Sequence, residues 1–119
     1  MRVAVLGASP NKERYSNKAV LALRAHGHEV VPVNPTQATI EGLTVAKTLS
    51  AIKGPVDTVT VYVGPQHIGG LIPEIVALNP KRVIINPGAE SDELIKGLKA
   101  ANIPYEEACT LVLLRTGQF

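Results

Sequence analysis

The sequence predicts one α/β domain: a mainly parallel five-stranded sheet with helices on both faces. Three observations carry this. Short apolar runs alternate with segments whose apolar residues recur at helical spacing. Each of the first four runs stops at a glycine, proline or asparagine turn. No linker, repeat or low-complexity tract divides residues 1–119, so the chain reads as a single domain.

The first strand is Arg2–Leu6. A central strand buried on both faces reads as continuous apolar residues, as Val3-Ala4-Val5-Leu6 does. Gly7-Ala8-Ser9-Pro10 and a polar loop to Tyr15 follow. Ser16 or Asn17 is expected to cap the first helix, which runs to about His26 with Ala19, Val20 and Leu23 on its inner face. Gly27 ends it in the C′ position. The second strand, Glu29–Val33, stops at Asn34-Pro35. Thr36 to Gly54 is looser, with a short extended piece at Gly42–Val45 and a helical turn at Leu49–Ile52. In the third strand, Asp57–Val63, Thr58, Thr60 and Tyr62 alternate with Val59, Val61 and Val63 before Gly64-Pro65. Gln66–Leu78 is helical in pattern but interrupted by Gly69-Gly70 and restarted at Pro73. The fourth strand, Arg82–Ile85, closes at Asn86-Pro87-Gly88. Ser91 caps a helix to about Ala101 that opens with Asp92 and Glu93 and packs through Leu94, Ile95 and Leu98. Ile103–Glu106 is the fifth strand, and the apolar tail Cys109–Leu114 reads as a last helix under the sheet. Strands alternating with helices imply right-handed crossovers and a doubly wound, Rossmann-like arrangement.

Composition narrows the function. With 45% apolar residues the chain is not of the disordered class. Twelve basic against ten acidic side chains give a net charge of +2, too little for a nucleic-acid footprint. Four aromatics, Tyr15, Tyr62, Tyr105 and Phe119, provide no base-stacking platform. No apolar run approaches the roughly 18 residues of a membrane span, and the N-terminal run stops too early for a signal peptide. Cys109 is the only cysteine and has no internal disulfide partner, which suits a reducing cytoplasm. A homodimer and an unidentified protein partner both stay open.

In a parallel sheet the carboxyl ends of the strands share one rim, and ligands bind there at the switch point beside the first strand. Gly7-Ala8-Ser9, Asn34-Pro35, Gly64-Pro65 and Asn86-Pro87-Gly88 all fall on that rim. Gly7 permits a sharp turn and a close backbone approach. Amides of the loop and of the next helix's first turn are expected to face a phosphate, with the helix dipole behind them. Lys12, Arg14 and Lys18 stand nearby as cations. The same turns also serve any strand end without binding anything. The loop has one glycine, not the three of the dinucleotide fingerprint, and no GxxxxGK[ST] loop is present. Asn34 stands where a nicotinamide-dinucleotide domain usually places an acidic residue.

No catalytic constellation is visible. His26 and His28 belong to the opposite edge, and their spacing makes a poor zinc site. His67 stands alone, Glu106 and Glu107 point to opposite faces, and Cys109 is expected to be a buried structural thiol.

In their order and spacing, Gly7-Ala8-Ser9-Pro10, Val33-Asn34-Pro35, Tyr62-Val63-Gly64-Pro65, Asn86-Pro87-Gly88 and the tail Glu107-Ala108-Cys109-Thr110 resemble the stand-alone coenzyme A-binding domain family. That family is similar to the amino-terminal domain of the succinyl-CoA synthetase α subunit. The resemblance implies a CoA or acyl-CoA ligand. Gly7, Ala8, Ser9, Pro10, Arg14 and Ser16 would lie in or next to the phosphate loop, and Asn34 and Pro35 near the adenosine half. Val63, Gly64 and Pro65 would line the cleft, and Asn86, Pro87 and Gly88 the pantetheine path. Gln37 stands where the synthetases carry a lysine, and the chain has no room for their phosphohistidine domain, so binding without ligation is implied. Two rival readings are an NAD(P)-binding regulatory or dehydrogenase-like domain and an interaction domain that has kept the fold without a ligand.

Overall fold

The computed structural model describes residues 1–119. In chain order the elements are β1 (Arg2–Leu6), α1 (Tyr15–Ala25), β2 (Glu29–Val33), β3 (Thr39–Ile40), β4 (Leu43–Thr44), β5 (Thr58–Val61), α2 (Ile72–Leu78), β6 (Arg82–Ile85), α3 (Asp92–Ala100), β7 (Tyr105–Glu107) and α4 (Thr110–Arg115). Short 3-10 turns occupy Leu49–Ala51 and Gly69–Leu71. The five-stranded sheet has the order β2-β1-β5-β6-β7, every pairing parallel. The chain passes from β1 to β2 on one side, then returns to β5 on the other side of β1. The carboxyl ends of β1 and β5 therefore flank the topological switch point.

The alternation of side chains along β1 divides the core between two faces. Ala4 and Leu6 join Val59, Val61, Val83 and Ile85 beneath Ile75 of α2 and Leu94 and Leu98 of α3. Val3 and Val5 face the other way, against Val20 and Leu23 of α1 and Leu114 of α4. Burial on both sides is why β1 reads as unbroken apolar sequence. Pro32 lies in β2, an edge strand, where its missing N–H does little harm. No helix is long and apolar enough to cross a membrane.

Four local expectations need correction. The helix α1 starts at Tyr15 with Arg14 in the N-cap position and no side-chain cap, not at a Ser16 or Asn17 cap. Asn17 is engaged elsewhere: its amide donates to the Ser9 carbonyl and to Glu41 Oε2, both at 2.9 Å. The loose region before β5 contains a complete hairpin, β3–β4, because Glu41 and Gly42 both take positive φ, as a tight two-residue turn requires. The strand β5 ends at Val61, two residues early; Tyr62 still donates to the Leu6 carbonyl at 2.9 Å before the chain turns away. The last strand begins at Tyr105 instead of Ile103, since the Ile103 amide closes the end of α3 by donating to the Leu98 carbonyl at 3.0 Å and Pro104 has no N–H to enter the ladder. By contrast Ser91 caps α3 as expected, accepting from the Leu94 amide at 3.2 Å, and Pro73 sits in the first turn of α2.

Candidate functional site

An open cavity of about 430 Å³ lies over the carboxyl tips of β1, β2 and β5. The tip of β1 contributes Gly7, Ala8 and Ser9, and the start of α1 contributes Arg14, Tyr15 and Ser16. Asn34 closes one side, Tyr62 the other, and Pro87, Gly88 and Ala89 approach from the loop after β6. Eight of the residues singled out from sequence thus converge: Gly7, Ala8, Ser9, Arg14, Ser16, Asn34, Pro87 and Gly88. Pro10 and Pro35 are exposed and lie outside the lining. Val63, Gly64 and Pro65 do not line it either. Val63 instead packs on the core and presses against the underside of Gly7.

Gly7 has φ +86°, and a Cβ there would meet Val63 Cγ2 at 2.9 Å and the Tyr62 carbonyl carbon at 3.2 Å. The turn needs glycine for both conformation and space. The amides of Gly7 and Ala8, however, both donate to the Val33 carbonyl, at 3.2 and 3.1 Å. They tie β1 to β2 and are not available to an anion, which corrects the expectation for these two donors. Among the residues that line the cavity, the amides left without an acceptor are those of Ser9, Tyr15 and Ser16. The latter two are first-turn amides, which no helical carbonyl can reach. The first turn of α1 carries no acidic residue of its own; the carboxylate nearest to it in the hydrogen-bond network is Glu41, bonded to the Asn17 side chain. Arg14 forms no ion pair; the two that exist, Arg2–Glu29 and Arg82–Glu106, are elsewhere.

Both asparagines of the rim are engaged within the protein. Asn34 donates to the Ala8 carbonyl at 2.8 Å and accepts from the Thr36 and Gln37 amides, so it braces the loop around the cavity. Asn86 is buried, donates to Thr60 Oγ1 at 2.7 Å and to the Val61 carbonyl at 2.9 Å, and accepts from the Thr110 amide at 2.9 Å. It fastens α4 to the sheet and presents no free polar atom to a ligand.

A second cavity of about 400 Å³ adjoins the first and shares Tyr15, Tyr62 and Pro87 with it. Cys109, Leu111, Val112 and Arg115 form its far wall. Cys109 is partly exposed in that wall, not buried as expected, because α4 starts just after it and its side chain faces the cavity rather than the core. Tyr62 separates the two spaces. Burial pushes its phenol up to about 12; the Thr110 and Thr60 hydroxyls beside it oppose the rise more weakly. Those hydroxyls pair with each other at 2.8 Å, and Tyr62 Oη makes no well-formed hydrogen bond.

Sequence reading missed Tyr15, Tyr62 and Ala89 as lining residues. For Tyr62 a signal existed: it ends the Thr58-Thr60-Tyr62 alternation at the carboxyl rim. His28 lies at the opposite edge, beside the N-terminus and Phe119. Burial first, then the N-terminal ammonium, pushes its pKa down. No three His, Cys, Asp or Glu side chains cluster as metal ligands.

Comparison with known proteins agrees with the fold. An uncharacterized protein of Bacillus subtilis, YneT, is 30% identical over 98 residues, covering 82% of this chain and 73% of that protein. A crystal structure of an uncharacterized protein superposes with a TM-score of 0.92 at 41% identity, covering 99% of this chain and 97% of that one. An acetyl-coenzyme A synthetase of Ca. Korarchaeum cryptofilum shares the fold at 20% identity, with a TM-score of 0.78 over 90% of this chain and 25% of the synthetase. The sequence model of the CoA binding domain matches residues 1–115. With nearly its whole length matched, the chain belongs to the CoA-binding domain family.

Proposed function

We propose that this protein binds CoA or an acyl-CoA, with the diphosphate held by the Ser9, Tyr15 and Ser16 amides and by Arg14, and that it holds the ligand without transforming it. The observation that supports this most is the uncapped, acid-free first turn of α1, which opens into a cavity at the switch point. Unpaired N–H groups, the helix dipole and an unpaired guanidinium all favour one kind of guest, a phosphate. Family membership makes CoA the phosphate ester to expect. Gly7 and Ala8 form the floor of the cradle, and Pro87 and Gly88 its roof. Pro10, Pro35, Val63, Gly64 and Pro65 act by shaping turns, and Asn34 and Asn86 by bracing them. Tyr62 stays protonated at physiological pH and supplies no base.

The dinucleotide reading is weaker. The tip of β2 offers no carboxylate to ribose hydroxyls, and the Asn34 amide is engaged by Ala8.

Isothermal titration calorimetry with CoA tests the proposal, with NADH fluorescence measured alongside. CoA should bind, and Arg14→Ala should weaken it about tenfold by removing one charge-assisted contact while the fold stays intact. No heat at about 1 mM CoA with folded protein overturns the proposal. A change in NADH fluorescence without CoA binding transfers the site to dinucleotides.

A further inference from the structure

We infer that the second cavity receives an apolar acyl group, so that the preferred ligand is a short-chain acyl thioester and not the free thiol. The inference rests on reading the adjoining cleft as a CoA site.

The two cavities share Tyr15, Tyr62 and Pro87, so a molecule anchored by phosphate in one continues into the other. Their chemistry differs. The first presents amides, hydroxyls and Arg14. The second presents Leu111 and Val112 of α4, the Cys109 thiol and the Tyr62 ring. Two of its polar members turn inward: Asn86 has both ends of its amide bonded within the protein, and Tyr62 Oη is buried. Arg115 and the exposed Tyr15 apart, what remains toward the space is apolar surface, and an unbranched hydrocarbon gains from it through burial.

Size and exposure agree. At about 30 Å³ per water-sized group, this cavity takes roughly a dozen heavy atoms, enough for a thioester and several carbons. Val112 is 41% exposed on its wall, an uncovered apolar side chain where an acyl chain would cover it. On the other side of the cradle, the tip of β2 carries Asn34, Thr36 and Gln37, polar residues bonded to one another that offer no apolar wall. The apolar arm is left for the acyl end.

Cys109 is the only thiol in the chain and stands in this wall, so its alkylation reports occupancy. The experiment titrates the full chain with CoA, hexanoyl-CoA and succinyl-CoA by calorimetry. It also follows iodoacetamide labelling of Cys109 with hexanoyl-CoA or ADP present, neither of which has a free thiol to consume reagent. Hexanoyl-CoA should bind about tenfold or more tighter than CoA, in line with methylene burial in an apolar pocket. It should slow Cys109 labelling at saturation, whereas saturating ADP should not. Val112→Asp should lower hexanoyl-CoA affinity about tenfold more than CoA affinity. Equal affinity for CoA and hexanoyl-CoA, or hexanoyl-CoA bound without protecting Cys109, overturns the inference and leaves the CoA site standing. Succinyl-CoA binding tighter than hexanoyl-CoA also overturns it, because a charged acyl end beside Arg115 would then be the preferred guest. No binding of any thioester or of CoA overturns the underlying site reading instead.

Discussion

Gly7→Ala probes the turn on which the cleft is built. The new Cβ would meet three atoms: Val63 Cγ2 at 2.9 Å, the Tyr62 carbonyl carbon at 3.2 Å and the Val63 nitrogen at 3.3 Å. The first can move by side-chain rotation; the other two are backbone held by β5. Alanine at φ +86° adds a conformational cost of about 1–2 kcal/mol. Forcing the turn off the Val63 backbone adds about 1–2 kcal/mol more, in the range of overpacked cores. The sum is about 3 kcal/mol, a large part of a stability that for this length is of order 10 kcal/mol. With a urea slope near about 2 kcal/mol/M, the midpoint should fall by about 1.5 M at unchanged slope. Gly88→Ala is the control. Its φ is +93° but nothing lies within 4 Å of a Cβ there, so only the conformational cost of about 1–2 kcal/mol applies. Adding Val63→Ala to Gly7→Ala removes the side-chain contact only, so a double-mutant cycle should show partial coupling. If Gly7→Ala costs no more than Gly88→Ala, within about 0.5 kcal/mol, the steric account of this turn is wrong.

Four other outcomes are expected. Asn86→Ala leaves the Thr110 amide buried without its acceptor, while the Val61 carbonyl keeps the backbone amide of residue 86, so denaturation should register a loss of about 2 kcal/mol, and α4 should loosen enough to speed Cys109 alkylation. Tyr62→Phe removes a hydroxyl that makes no well-formed hydrogen bond, so thermal melting should show stability unchanged or raised by up to about 1 kcal/mol. The Tyr62 pKa is raised from 10.0 to about 12 in the folded chain, so between those values the unfolded state loses its proton first. Stability should therefore be insensitive to this group below about pH 10 and fall between about pH 10 and 12, by at most about 2.7 kcal/mol, and Tyr62→Phe should flatten that slope. Arg14→Ala should leave stability within about 0.5 kcal/mol, since Arg14 is exposed and unpaired, while the residual CoA affinity becomes less sensitive to salt.

Local chemistry in the chain determined the architecture. The unbroken Val3–Leu6 run, the turns after the first four strands, Ser91 before Asp92 and Pro73 in a broken helix each act within a few residues, where spacing and turn propensity decide the outcome. Those signals also located the rim and brought Gly7, Ala8, Ser9, Arg14, Ser16, Asn34, Pro87 and Gly88 to one cavity. Which of their polar groups stay unpaired was decided only by register. The Gly7 and Ala8 amides find the Val33 carbonyl because β1 and β2 pair with Leu6 opposite Val33. Asn86 turns inward because β5 brings Thr60 beneath it and the chain after β7 brings Thr110. The apolar wall of Cys109, Leu111 and Val112 exists only once α4 is docked beside Tyr62. Periodicity specifies which face of an element is apolar; competition for a hydrogen bond between residues far apart in sequence depends on distances that only the folded chain sets.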